Sequence, residues 1–311
     1  MLIKDPPVAV TPRLLMLGTN EYPLFLFKGA CEGTIFEGGV GAMGLVMLEQ
    51  MQGLGIGRDF VKQVIITHAH PDHVMAVPMF REAFPGVKVL ASRAAAATLS
   101  AAKVMAFFRQ VDEMLTGSLA RAGRITDAHR PRPLAQDPIA VDRIIKEGDT
   151  IAVAAAVSFR VLETPGHSEC SLSFHEPGEG VLIISDATGY YMPDPQSWWP
   201  NYFTGYAAYL DSIRRLAELN AEILCLSHNG VIKGAQAVRD YLHGATAATQ
   251  QYHERIVAET RAGKSVRETA EQLGSEVWAR APLLPLEFFQ KNCGLLVKQS
   301  LRHAGLDAGR S

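Results

Sequence analysis

Short apolar runs separated by glycine-containing turns occupy the first third of the chain. The segments "RLLMLGT", "PLFLFKG" and "EGTIFEGG" predict three strands, and "GAMGLVMLEQMQGLGI" predicts a helix that ends at glycines. The run "VKQVIITHAH" is typical of a buried strand that leads into a loop. A short helix, "HVMAVPMFREAF", and a strand, "VKVLAS", follow it. This alternation of strands and helices favours an α/β architecture built in layers.

Residues 92–125 interrupt the alternation, because this segment is rich in alanine and contains no proline. Its apolar positions recur at helical spacing and would share one face: Val104, Phe108, Val111, Leu115 and Leu119. We predict a long helix or a helical hairpin, inserted between strands. Two interpretations are open at this point, an ordinary helix packed on the core or a lid over a functional site.

The second half of the chain repeats the strand-rich pattern and then becomes helical. Residues 150–186 predict several strands, and "GYAAYLDSIRRLAEL" predicts a helix before the short apolar run "EILCLSHNG". Residues 235–262, 265–274 and 285–304 predict three further helices, the second of which opens with "SVRE", a capping box formed by Ser265 and Glu268. Strand-rich segments that end in polar residues therefore occur twice.

Composition narrows the classes of function. The chain has 311 residues, 48% of them hydrophobic, and a formal net charge of −2, so no strong basic field would attract nucleic acid or anionic lipid. No apolar stretch approaches the roughly 20 residues that span a bilayer, and the first residues do not resemble a secretory signal. The four cysteines show no C-x-x-C pairing, which is typical of free thiols in a reducing compartment. We therefore expect a cytoplasmic protein.

Histidine and aspartate side chains follow apolar runs at four places along the chain. These residues are His68, His70, Asp72 and His73 in "THAHPDH", His167 in "TPGH", Asp186 in "ISD" and His228 in "LSH". The four places are separated by 94, 19 and 42 residues, so only the tertiary fold could collect them. Such spacing favours a catalytic metal site over a compact zinc knuckle, and these nitrogen and oxygen donors suit zinc, iron, manganese, nickel or cobalt.

These motifs, in this order, resemble the metallo-β-lactamase superfamily over roughly residues 14–230. The resemblance implies a four-layer αβ/βα sandwich, here with a helical insertion and C-terminal helices. It also implies two divalent metal ions, with zinc favoured over iron or manganese. The implied ligands of the first ion are His68, His70 and His167. Those of the second ion are Asp72, His73 and His228, and Asp186 would bridge the two ions.

The resemblance also implies a reaction. A metal-bound hydroxide would attack an ester, thioester or lactone carbonyl, and Asp72 would orient the nucleophile or shuttle a proton. Thioesterases of the glyoxalase II type and lactonases carry the same H-x-H-x-D-H string. Some lactone-cleaving relatives place a tyrosine just after the bridging aspartate, which makes Tyr190 a candidate catalytic residue. Residues 1–234 would form the catalytic domain, and residues 235–311 would form a C-terminal helical extension.

Several alternatives stay open on the sequence alone. A non-haem iron redox enzyme, similar to persulfide dioxygenases or diiron proteins, could use the same ligand pattern. A phosphodiesterase or nuclease is a weaker alternative because the chain is weakly acidic. The aromatic segment at residues 190–206 could form a pocket wall, a hydrophobic seam against the C-terminal helices, or a subunit contact. We expect a small-molecule substrate, no nucleic-acid or membrane partner, and a possible homodimer.

Overall fold

Sixteen strands and eight helices make up the computed structural model, which describes residues 1–132, 138–154, 157–282 and 284–306. The strands are β1 (Leu2–Ile3), β2 (Val8–Ala9), β3 (Leu14–Gly18), β4 (Pro23–Lys28), β5 (Gly33–Phe36), β6 (Val61–Ile65), β7 (Lys88–Ala91), β8 (Arg143–Ile144), β9 (Thr150–Ala154), β10 (Val157–Glu163), β11 (Leu172–Glu176), β12 (Val181–Ser185), β13 (Tyr190–Pro193), β14 (Gln196–Trp199), β15 (Ile223–Leu226) and β16 (Val231–Lys233). The helices are α1 (Met43–Gly53), α2 (Val77–Ala83), α3 (Arg93–Leu99), α4 (Ala102–Arg121), α5 (Tyr206–Ala217), α6 (Ala235–Arg261), α7 (Val266–Trp278) and α8 (Leu286–His303).

Two seven-stranded sheets form the centre of the fold. The first sheet has the order β2-β3-β4-β5-β6-β7-β8, antiparallel from β2 to β5 and parallel from β5 to β8. The second sheet has the order β1-β16-β15-β12-β11-β10-β9, in which only the pair β12 and β15 is parallel. The two strand-rich segments of the sequence thus correspond to two separate sheets.

The two sheets pack face to face across an apolar core. Phe25, Phe27 and Phe36 of the first sheet meet Phe159 and Phe174 of the second sheet, and all five side chains are buried. The ring centroids of Phe36 and Phe159 lie 4.8 Å apart. Both faces of the central strands are covered, which explains why these strands read as continuous apolar runs instead of alternating patterns.

Helices cover the outer face of each sheet. Helices α1, α2 and α4 pack on the outward side chains of the first sheet, such as Leu15 and Val64. Helices α5 to α8 pack on the outward side chains of the second sheet, such as Leu182 and Leu224. The layers therefore run helix, sheet, sheet, helix. The predicted four-layer αβ/βα sandwich with C-terminal helices is confirmed.

The predicted insertion at residues 92–125 consists of two helices, α3 and α4, which meet at residues 100–101. The insertion is therefore a short helix followed by a long one. On α4 the predicted apolar face is buried at Phe108, Val111, Leu115 and Leu119. The Ser265 capping box also forms, since the Ser265 hydroxyl accepts from the Glu268 amide and the Glu268 carboxylate accepts from the Ser265 amide.

A β-hairpin, β13–β14, lies within the aromatic segment and was not anticipated from the sequence. Its cross-strand pairs are Tyr190 with Trp199 and Tyr191 with Trp198. The Tyr191 and Trp198 rings pack on α6. The Trp198 indole lies against Gly244 of that helix, in space that the Cβ of any other residue would occupy. The segment therefore serves as a seam on one face, while the opposite face is turned toward the candidate site described below.

In the part of the chain that the structure describes, no helix has both the length and the apolar character needed to cross a bilayer.

Candidate metal centre and substrate cavity

All seven sequence-predicted metal ligands meet at one end of the sandwich. They follow the strands β6, β10, β12 and β15, whose ends lie on the same side of the two sheets: His68, His70, Asp72, His73, His167, Asp186 and His228. Residues 71–73 form a short 3-10 turn that carries two of them. In the turn before His167, Gly166 has a φ of +117°, and a Cβ there would collide with the backbone of Tyr209.

Three imidazoles and one carboxylate form the first donor group. The Nε2 atom of His68 lies 3.0 Å from Nδ1 of His70 and 3.2 Å from Nε2 of His167, and the last two atoms are 2.9 Å apart. Asp186 Oδ2 lies 3.3 Å from His167 Nε2. A tetrahedral zinc ion with Zn–N bonds of about 2.0–2.1 Å would space its nitrogen ligands roughly 3.3 Å apart. This donor set fits a single ion of that kind.

Asp72, His73 and His228 form the second donor group. Asp72 Oδ2 lies 3.3 Å from His73 Nε2 and 3.7 Å from His228 Nε2. His73 Nε2 is buried and has no hydrogen-bond partner among the described residues, which is typical of a nitrogen reserved for a metal. Asp186 is 3.4 Å from His228 and 3.6 Å from His73, so this carboxylate lies between both groups.

Backbone carbonyl groups fix the orientation of two of the histidines. His167 Nδ1 lies 3.0 Å from the carbonyl oxygen of Asn201, and His228 Nδ1 lies 2.6 Å from that of Glu21. A carbonyl oxygen can only accept, so Nδ1 carries the proton in both rings. Their Nε2 lone pairs are therefore left to face the donor groups.

A buried side-chain network holds two further histidines. His73 Nδ1 lies 2.8 Å from a carboxylate oxygen of Glu37, and His68 Nδ1 lies 3.0 Å from the hydroxyl of Ser185. The Thr67 hydroxyl donates to Glu37 at 2.9 Å and lies 2.7 Å from the Ser185 hydroxyl. One continuous network therefore supports a histidine of each donor group.

The histidines of the first group are electrostatically suited to act as neutral donors. Burial lowers the pKa of His70 to about 3, and the neighbouring His167 adds to the effect. Burial also lowers the pKa of His68 and of His167. Neutral imidazole is the form that binds a metal, so no proton has to be displaced from these rings near neutral pH.

The second group lies in a field dominated by carboxylates. Burial opposes protonation of His73, but the charges of Asp72, Glu37 and Asp186 outweigh it and raise the pKa of this imidazole. Burial likewise opposes ionisation of Asp72, yet His73 and His228 bring its pKa down to about 2. A cation is thus favoured here, whether it is a proton or a metal ion.

A cavity of about 430 Å³ opens above the two donor groups. Its floor contains His70, Asp72, His167, Asp186 and His228. Its walls come from α4, α8, the β13–β14 hairpin and the loops beside them: Tyr22, Phe107, Phe108, Val111, Leu115, Ser168, Tyr190, Trp199, Asn201, Phe203, Thr204, Ala281, Leu284, Phe288, Phe289, Asn292 and Leu295. The aromatic segment is therefore a pocket wall as well as a seam.

Tyr190 stands at the boundary between floor and wall. Its ring centroid lies 5.0 Å from that of His228, and the side chain lines the cavity. Burial raises the pKa of its hydroxyl to about 12, so the group stays protonated and can donate a hydrogen bond near neutral pH.

Comparison with known proteins identifies the family. The sequence model described as the metallo-beta-lactamase superfamily matches residues 28–228, about two thirds of the chain. The chain belongs to the metallo-β-lactamase superfamily. A metallo-β-lactamase family protein of Thermus thermophilus has a TM-score of 0.64 and 22% identity, and the comparison covers 96% of this chain and 95% of that protein. This likeness supports the fold.

Two curated relatives of this metallo-β-lactamase superfamily chain carry the same name. A hydroxyacylglutathione hydrolase of Fuscovulum blasticum is 26% identical over 71% of this chain and 69% of its own length. A protein of the same name from Cereibacter sphaeroides is 27% identical over 57% of this chain and 51% of its own length. The chain thus spans between half and seven tenths of the lengths of these relatives.

Three residues that support the ligands in this superfamily member were not predicted from the sequence. Thr67 and Ser185 lie inside the motifs "THAHPDH" and "ISD" but were not recognised as partners of the ligands, and Glu37 lies in no recognisable motif. The available signal was weak: Glu37 is an acidic residue that ends a buried strand and precedes Gly38. An acidic residue in that position needs a cationic or hydrogen-bonding partner, and His73 is that partner.

Proposed function

We propose that this chain is a binuclear metal-dependent hydrolase that cleaves an ester, thioester or lactone. The observation that carries the proposal is the position of the Asp186 carboxylate at the floor of the cavity. It lies 3.3 Å from His167 Nε2 of the first donor group and 3.4 Å from His228 Nε2 of the second. The curated relatives add support, because their name describes hydrolysis of an acyl-glutathione compound. This shared name also favours hydrolysis over iron-dependent redox chemistry.

The donor set suits zinc, with iron or manganese as alternatives, because it combines five imidazoles with two carboxylates. His68, His70 and His167 would hold one ion, Asp72, His73 and His228 a second, and Asp186 would contact both. Divalent ions bound here would supply an activated water near neutral pH and would polarise the scissile carbonyl group.

Two residues at the cavity floor would act directly on the reacting atoms. Asp72 is a carboxylate at the edge of the second donor group, where it can accept a hydrogen bond from the attacking water and orient it. Tyr190 can donate a hydrogen bond to the substrate oxygen on which negative charge develops. Apolar walls around both residues would exclude bulk water, which strengthens these interactions.

The test combines metal analysis with hydrolysis. We expect the purified chain to hold up to two divalent ions, to lose hydrolysis of p-nitrophenyl acetate, an acyl thioester or a γ-lactone on chelation, and to regain it with zinc or manganese. His243→Ala, a change at an exposed histidine far from the donor groups in sequence, is the matched control and should keep both metal and activity. Metal-loaded protein that hydrolyses no member of the panel would refute the proposal. Oxygen consumption by the iron form would favour the redox alternative.

A further inference from the structure

We infer that the substrate presents an uncharged, apolar acyl group to the cavity, held between α4 and α8. This inference rests on the proposed function and narrows it to a substrate class. Acyl compounds with a charged carrier, including thioesters of glutathione, would be poor substrates. Three observations carry the inference: the composition of the walls, the absence of cations from the described lining, and the exposed apolar residues at the cavity mouth.

Helices α4 and α8 face each other across the cavity with apolar side chains. Helix α4 contributes Phe107, Phe108, Val111 and Leu115, and helix α8 contributes Phe288, Phe289, Asn292 and Leu295. Asn292 is the single polar side chain in that set. Opposed aromatic and aliphatic walls of this kind gain free energy by removing apolar surface of a ligand from water.

No lysine or arginine lines the cavity among the described residues. The charged carboxylates in the lining are Asp72 and Asp186, and both belong to the donor groups. The remaining polar groups on the walls are neutral, such as Ser168, Thr204 and Asn292. An anionic group of the substrate that lies in the cavity at a distance from the metal centre would lose its hydration without gaining a cationic partner. Binding of such a substrate is therefore disfavoured.

Two of the cavity residues are large apolar side chains that remain exposed. Phe107 is 55% exposed and Leu295 is 39% exposed, and both line the cavity, one on each helix. Met114 of α4 is similarly exposed, at 41%, but does not line the cavity. Exposed apolar surface grouped at a pocket mouth is typical of a ligand-binding site. Phe107 and Leu295 would therefore be covered by the substrate when it binds.

The cavity size sets the expected response to chain length. A volume of about 430 Å³ lies in the lower part of the range for small-molecule pockets. Each methylene group that leaves water adds about 0.8 kcal/mol, which corresponds to about fourfold in kcat/KM. Affinity should rise with acyl length until the cavity is filled and should then level off.

The first experiment compares neutral and charged acyl groups of equal length on the metal-loaded full chain. We expect kcat/KM for p-nitrophenyl esters to rise about fourfold per methylene from acetate to hexanoate. The adipate mono-ester, which has the same six-carbon chain and a terminal carboxylate, should be at least about 100-fold slower than hexanoate. Equal rates for hexanoate and adipate, or lactoylglutathione as a better substrate than neutral thioesters, would overturn the inference while leaving the hydrolase function intact. If the metal-loaded chain cleaves no ester, thioester or lactone, both proposals fail.

Variants at exposed positions test the same inference without disturbing the core. Phe107→Ala should lower the ratio of hexanoate to acetate turnover about tenfold, whereas Met114→Ala, on the same helix, should leave that ratio unchanged. Leu295→Lys adds a cation at the mouth and should raise adipate relative to hexanoate about tenfold. Ratios that do not move in either cavity variant would show that these helices do not hold the acyl group.

Discussion

The floor and the walls of the cavity are built in different ways. The floor consists of histidines and aspartates that follow strands of the two sheets. Several of the imidazole rings are fixed by hydrogen bonds that they donate to the Glu37 carboxylate and to the backbone carbonyl groups of Asn201 and Glu21. The walls come mainly from α4, α8 and a hairpin, and they present apolar side chains that are partly exposed. The floor can therefore hold metal geometry rigidly, while the walls can vary between relatives without moving a ligand.

The largest expected effect comes from breaking the floor at its centre. Asp186→Ala removes the carboxylate that contacts both donor groups, and should lower metal content and reduce hydrolysis more than about 1,000-fold. Metal analysis and initial rates measure the two effects, and circular dichroism checks folding. Asp211→Ala, an exposed aspartate on α5, is the control. Full metal content with normal turnover in Asp186→Ala would refute the assignment of this residue.

A smaller effect is expected from the layer behind the floor. Glu37→Gln keeps the size of the side chain but removes the charge that faces His73 Nδ1. The affinity of the second donor group for a divalent ion should fall about 10- to 100-fold, as is usual for partners of metal-binding histidines. Competition with a chelator measures that affinity. Glu32→Gln, at an exposed position just before β5, should not change it, and an equal loss in both variants would contradict the role given to Glu37.

Asp112 connects the wall helix α4 to the loop before α1, and its expected effect is on stability. The Gly41 amide donates to this carboxylate at 2.6 Å, and burial raises the pKa of Asp112 to about 6. The folded state therefore keeps a proton that the unfolded state releases near its ordinary pKa of about 3.9. The contribution of Asp112 to stability is consequently lost as the pH rises from about 4 to 6, and this contribution does not change further above that range.

Asp112→Asn should remove this penalty, because an asparagine oxygen can still accept from Gly41. The free energy of unfolding of Asp112→Asn, minus that of the unmodified protein, should increase by about 2–3 kcal/mol between pH 4 and pH 7. Urea unfolding of both proteins at equal metal content measures the difference. Glu113→Gln, at the neighbouring exposed position, serves as the control. A gain that is independent of pH would show that the carboxyl of Asp112 does not titrate in this range.

The strands and helices that could be predicted are those whose own residues show an apolar run or a helical spacing of apolar positions. The central strands and most helices were predictable because apolar runs and helical spacing are local properties. The β13–β14 hairpin was not, because aromatic residues suit a pocket wall, a seam or a strand equally well. Glu37 was missed for a related reason, since its role depends on His73, 36 residues away.

The sequence by itself determined the donor chemistry, because seven histidines and aspartates after apolar runs specify which atoms can bind a metal. It also determined the family, through the order and spacing of those residues. Only the tertiary structure decided which nitrogen of each ring faces the centre and which side chains form the walls. The reason is physical: ring orientation and cavity shape arise from contacts between residues far apart in the chain, such as His228 with Glu21 and α4 across from α8.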